Sequence, residues 1–103
     1  MAKRKKIQVC AHGLLPLHVS IQTDPDGNVD AMYFKFRRGR VARTVEFSEW
    51  TLIDLDKEGD IVGVEMLEPG MVTRKELERA AKKYREPSLA TLNPKSLLAG
   101  VGI

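Results

Sequence analysis

The residues whose types and spacing could do chemistry fall into a few groups. Asp54-x-Asp56-x-Glu58-Gly59-x-Ile61-x-x-x-Glu65 places acidic side chains at positions 1, 3, 5 and 12 and glycine at position 6 of a loop like that of an EF-hand. An EF-hand needs a helix on each side. Here Val62-Gly63-Val64-Glu65-Met66-Leu67 leads to Pro69-Gly70, which is a strand pattern followed by a breaker, so a hairpin turn explains the same residues. Asp24, Asp26, Asn28 and Asp30 form a second acidic loop, which turn stabilisation accounts for. Cys10, His12 and His18 are the soft ligands; a structural zinc site wants four, and three suffice only with a carboxylate or a second subunit. No nucleophile with its base, phosphate-cradling glycine loop or apolar pair of carboxylates stands at diagnostic spacing. The expectation is a protein that is not an enzyme and that takes no metal or cofactor.

Two basic clusters remain. Lys3, Arg4, Lys5 and Lys6 open the chain, and Arg37, Arg38 and Arg40 make a turn with Arg43 on the strand after it. Such charges suit phosphate contacts, and Tyr33 on a neighbouring polar face would stack a base if exposed. Against this, a net charge of +3 is low for a dedicated nucleic-acid binder, and the N-terminal run alone supplies +4.

These residues need a scaffold, and 103 residues make one domain with one modest core. With 43% hydrophobic and 30% charged residues the chain is too apolar for disorder and too interrupted by charge to span a membrane. The stretch after the basic start carries His12, Pro16 and His18 and makes no export signal. Cys10 is the single cysteine, which precludes an intramolecular disulfide and makes a reducing cytoplasm the expected compartment.

Residues 1–6 read as a flexible basic tail and 7–103 as a single α+β domain. Ile7–Cys10 is a short edge strand. Alternation places Leu17, Val19 and Ile21 on one strand face, then Met32, Phe34 and Phe36, then Val41, Arg43, Val45 and Phe47; further strands run over 50–55 and 61–67. Turns at Asp24–Asn28 and Asp56–Gly59 are short, so the expectation is an antiparallel β-meander of four to five strands, with no internal repeat beyond the hairpins. Thr73-Arg74-Lys75-Glu76 is a capping box, and Leu77, Ala80, Ala81 and Tyr84 give the helix after it one apolar stripe, with Pro87 ending it. The core candidates are Met32, Phe34, Phe36, Val45, Phe47, Ile53, Leu55, Val62, Val64 and Leu77. The tail from Ser88 carries Leu89, Leu92, Leu97, Leu98, Val101 and Ile103, which should dock on its own sheet or on another chain.

From about residue 24 to 70 the chain resembles a family of small prokaryotic and phage proteins catalogued as domain of unknown function 2283 (DUF2283). Asp30-Ala31-x-Tyr33, Val41-Ala42-Arg43-Thr44-Val45-Glu46 and Ile53-Asp54-Leu55-Asp56-x-x-Gly59-x-Ile61-Val62-Gly63-Val64-Glu65 carry the likeness. The resemblance implies a compact β-rich module, no catalytic residues and, by analogy with members beside toxin-like genes, an antitoxin-type role. The basic N-terminus, Gly27-Asn28-Val29 and the C-terminal region depart from the family pattern.

The leading expectation is a non-enzymatic protein-interaction module that associates with a protein partner or with a second copy as a homodimer. The alternative is a nucleic-acid-binding or antitoxin-like regulator that uses Lys3–Lys6, Arg37, Arg38, Arg40 and Arg43.

Overall fold

The computed structural model describes residues 5–10 and 18–93. Turn chemistry frames it. Asp24 Oδ1 accepts from the amides of Asp26 and Asn28 at 2.9 Å each, and the Gly27 amide closes onto the Asp24 carbonyl at 3.0 Å. Asp56 repeats this with Glu58, Asp60 and Gly59 at the same three distances. Gly27 and Gly59 sit at φ 88° and 86°, a left-handed conformation that only glycine adopts at little cost. Within the calcium-like frame, Asp56 is therefore a hairpin-forming group.

The strands are β1 Lys5–Cys10, β2 His18–Thr23, β3 Val29–Lys35, β4 Arg43–Ser48, β5 Thr51–Leu55 and β6 Ile61–Met66. They make one antiparallel sheet in the order β1-β2-β3-β6-β5-β4. That is six strands rather than four to five, because Lys5–Cys10 pairs along its whole length with β2. Lys5 and Lys6 thus lie within β1, while residues 1–4 fall outside the described part.

The meander holds within each half, but the chain then crosses from β3 to the far edge and returns at β6 beside β3. The halves repeat one another. Ile21 pairs with Met32 and Gln22 with Ala31; thirty-two residues on, Ile53 pairs with Val64 and Asp54 with Gly63. The inner hairpin of each half carries a register shift at the same place, Gln22/Thr23 and Asp54/Leu55, while β4 and β5 add another at Glu46/Ser48. In the seam between β3 and β6, Met32 faces Met66, Phe34 faces Val64 and Tyr33 faces Glu65, so an approximate two-fold axis passes between Tyr33 and Glu65. In the sequence this internal repeat shows only in Ile21 and Ile53, Asp24 and Asp56, and Gly27 and Gly59, because most other equivalent positions carry unlike residues, such as Thr23 against Leu55 and Tyr33 against Glu65.

One sheet face is the core. Met32, Phe34, Val64 and Met66 in the seam are no more than 1% exposed, joined by Val19, Ile21, Ile53, Leu55 and Ile61. Fully burying such a side chain stabilises by about 1.5–3 kcal/mol. Phe36, Val62 and Leu77 are buried as expected, whereas Val45 and Phe47, on edge strand β4, are only partly covered. The helix α1, Arg74–Lys83, covers this face with Leu77, Ala80, Ala81 and Tyr84. A 3-10 turn, Pro69–Met71, precedes it, and a 3-10 segment, Pro87–Thr91, brings Leu89 into the core. Residues 94–103, with Leu97, Leu98, Val101 and Ile103, lie outside the described residues.

The opposite face carries a polar clasp across the seam. Tyr33 donates its hydroxyl to Asp54 Oδ2 at 2.8 Å, and Thr44 donates to Asp54 Oδ1 at 2.6 Å. The Tyr33 ring reaches Asp54 by crossing over Gly63, where a Cβ would overlap the ring and its hydroxyl. Burial first, then the Asp54 bond and the negative charges of Asp54 and Glu65, hold the phenol above its usual range, so it remains a donor. Tyr33 is thus committed to the scaffold and is not an open stacking platform.

Gly63→Ala is expected to cost about 1–3 kcal/mol in urea unfolding, because the Tyr33 ring must give up its place over Gly63 and its bond to Asp54. In a Tyr33→Ala background the same change should cost less than about 0.5 kcal/mol, and an equal cost in both backgrounds would contradict the clasp.

Candidate functional site

The stretch Arg74–Glu86 holds six cations and three acids, leaving eleven of each in the rest of the chain. Packing turns two of those acids inward. Glu76 is 7% exposed and its carboxylate accepts hydroxyls from Thr51 and, at 2.5 Å, from Ser48. The capping box is therefore half formed: the Glu76 amide donates to Thr73 Oγ1 at 3.2 Å, but the carboxylate turns to the sheet instead of back to Thr73. Glu86 accepts from Arg37 Nη2 at 2.6 Å and from Ser88 Oγ at 2.9 Å. Only Glu78 remains outward, exposed and 3.4 Å from Arg74.

Lys75, Arg79 and Lys82 stand at i, i+4 and i+7, opposite the apolar stripe that Leu77, Ala80, Ala81 and Tyr84 give to the sheet. Beside them runs an open groove of about 750 Å³, lined from α1 by Lys75, Glu78, Arg79, Ala81 and Lys82, then by Arg85, and from the 3-10 segment by Pro87 and Ala90. Its volume lies in the range of ligand-binding clefts. The hollow on the other sheet face, bounded by Ser20, Gln22, Ala31, Tyr33 and Glu65, is about 210 Å³ and falls below it.

A helix stop shapes the groove's end. The Glu86 amide donates to Ala81 O at 2.9 Å and the Arg85 amide to Lys82 O at 3.4 Å, the paired bonds of a Schellman motif. Arg85 takes the left-handed position at φ 54°, where glycine is usual. The helix therefore ends at Lys83 by this turn, and Pro87 starts the next element instead of stopping this one.

The structure separates the basic residues read from the sequence. Lys3 and Arg4 lie outside the described residues. Lys5 and Lys6 begin β1, opposite the Thr23 end of β2, while Arg43 begins β4 opposite Leu55, so these lysines and Arg43 occupy opposite edges and opposite ends of the sheet. Five strand spacings separate those edges, roughly 24 Å. Arg37 ties three elements together, its Nε donating to Ile61 O at 2.8 Å and its Nη2 to Glu86. Arg38, Arg40 and Arg43 are exposed. The groove of α1 escaped sequence reasoning because its cations read as an ordinary wet face; the signal was their excess over acids, once Glu76 and Glu86 are known to face inward.

Comparison with known proteins meets the core of this fold. Residues 26–68 match the family described as protein of unknown function (DUF2283). The DUF2283 stretch runs from the tip of the first hairpin through β6, and so contains the seam, the Asp56 loop and both ends of the Tyr33–Asp54 clasp. The α1 groove lies beyond it. No curated protein and no solved structure matches the chain.

Replacing Arg85 by glycine should relieve the left-handed backbone and stabilise by about 0.5–1 kcal/mol, raising the melting midpoint by roughly 2–8 °C. Arg85→Ala keeps the strain and serves as control; a midpoint for Arg85→Gly no higher than that of Arg85→Ala would contradict this geometry.

Proposed function

We propose that the domain is a non-enzymatic protein-interaction module whose working surface is the outward face of α1 with the 3-10 segment after it. The observation that carries this reading is the groove itself: cations on its rim, small apolar residues in its wall, and the neighbouring acids Glu76 and Glu86 engaged elsewhere. A non-enzymatic role is supported by the bonding of the partly buried polar groups. Tyr33, Asp54 and Glu76 each serve a contact between strands or between sheet and helix. Nucleic-acid binding through Lys5, Lys6, Arg37, Arg38, Arg40 and Arg43 gains no support from a placement that sets Lys5 and Lys6 on one edge strand, Arg43 on the other and Arg37 between them, bonded to Glu86.

The test is a tagged pull-down at moderate salt after nuclease treatment, with the native chain and a Lys75→Glu/Arg79→Glu/Lys82→Glu variant. All three positions are exposed, and a Lys75→Glu/Lys82→Glu variant that leaves Arg79 over the Phe47 ring controls for lost packing and should melt within a few degrees of the native chain. A protein bound by the native chain and lost with the variant is the expected result. Capture indifferent to the variant, or recovery only of nuclease-sensitive nucleic acid, would overturn the proposal.

A further inference from the structure

Resting on that reading of the α1 face, we infer that the groove takes an acidic amphipathic peptide segment of a partner protein. The charge complement is direct. Lys75, Arg79, Lys82 and Arg85 line the groove against the single acid Glu78. Ala81, Pro87 and Ala90 lie between these cations, and such small side chains form a shallow apolar floor that an incoming apolar side chain would desolvate. Ten helical residues extend about 15 Å, the length of roughly four or five extended peptide residues or three helical turns. Carboxylates on such a segment would meet the rim while its apolar side chains meet the floor, the arrangement of groove-bound amphipathic peptides.

A nucleic-acid strand fits this surface less well. Single-strand binders stack bases on open aromatic rings. The rings that meet this helix, Phe47 and Tyr84, already have Arg79 and Lys83 over them, each 5.6 Å from the ring centroid, and they pack edge-to-face on one another at 6.3 Å. Residues 94–103 are no better matched, since they carry Lys95 and no Asp or Glu.

The experiment uses the full chain, labelled with nitrogen-15, and three probes: a fluorescein-labelled Glu-Leu-Phe repeat peptide, an all-Glu peptide of equal length and a single-stranded DNA oligonucleotide. Anisotropy gives affinity and amide shifts give the site. The Glu-Leu-Phe peptide should shift amides within residues 75–90, bind at least about tenfold more tightly than all-Glu, and lose about tenfold in affinity to Lys82→Glu. Equal affinity for the two peptides would overturn the inference by reducing the groove to bare charge. DNA binding more tightly at the same amides would overturn the peptide assignment and keep the face. If no probe shifts residues 75–90, both the peptide and the reading of this face as the working surface fail.

Discussion

The pairing of β3 with β6 is the constraint on which the rest of the molecule depends. Each half, β1–β3 or β4–β6, is an antiparallel run of well under about forty residues, a length at which a chain rarely buries a sufficient core alone. Joining the halves through Met32, Phe34, Val64 and Met66 makes one continuous core face from β2 to β5. The core-facing side supplies most of the stabilisation, because four fully buried large side chains outweigh one partly exposed hydrogen bond of about 1 kcal/mol. The Tyr33–Asp54 clasp on the other side has a different task. It fits only where Gly63 leaves room for the ring, and so specifies the register in which the halves meet.

That core face also shapes the outer surface of α1. The helix must lay Leu77 and Ala80 on the sheet, and the same contact draws Glu76 to Ser48 and Thr51. Arg37, held at the end of β3 by its bond to Ile61 O, draws in Glu86. Each of these bonds serves the fold and also takes an acid from the outer face. A basic groove beside α1 follows from how the helix is fastened down.

Much of this was legible in the sequence, because local patterns carried it. Alternation marked the strands, Asp-x-acid-Gly marked both hairpins, and Thr73 with the stripe from Leu77 to Tyr84 marked the helix. What stayed hidden depends on pairing over long separations. The crossing that puts β6 beside β3 is set by the seam, and no residue within Arg37–Ala42 announces it. Tyr33 read as a free aromatic because its cover, Gly63, lies thirty residues away. Glu76 fitted a capping box by spacing, yet two hydroxyls from β4 and β5 competed successfully for its carboxylate. The basic groove was missed for the same reason, since it emerges only when the partners of Glu76 and Glu86 are known.

Native-state hydrogen exchange across the seam tests the central claim most directly. If β3 and β6 hold the two halves together, the bonded amides of Met32–Lys35 and Gly63–Met66 should exchange only with global unfolding, at the same opening free energy as the slowest amides of β2 and β5. A seam that opens at lower free energy, while β2–β3 and β5–β6 each stay protected, would mean that the halves stand independently and would contradict it.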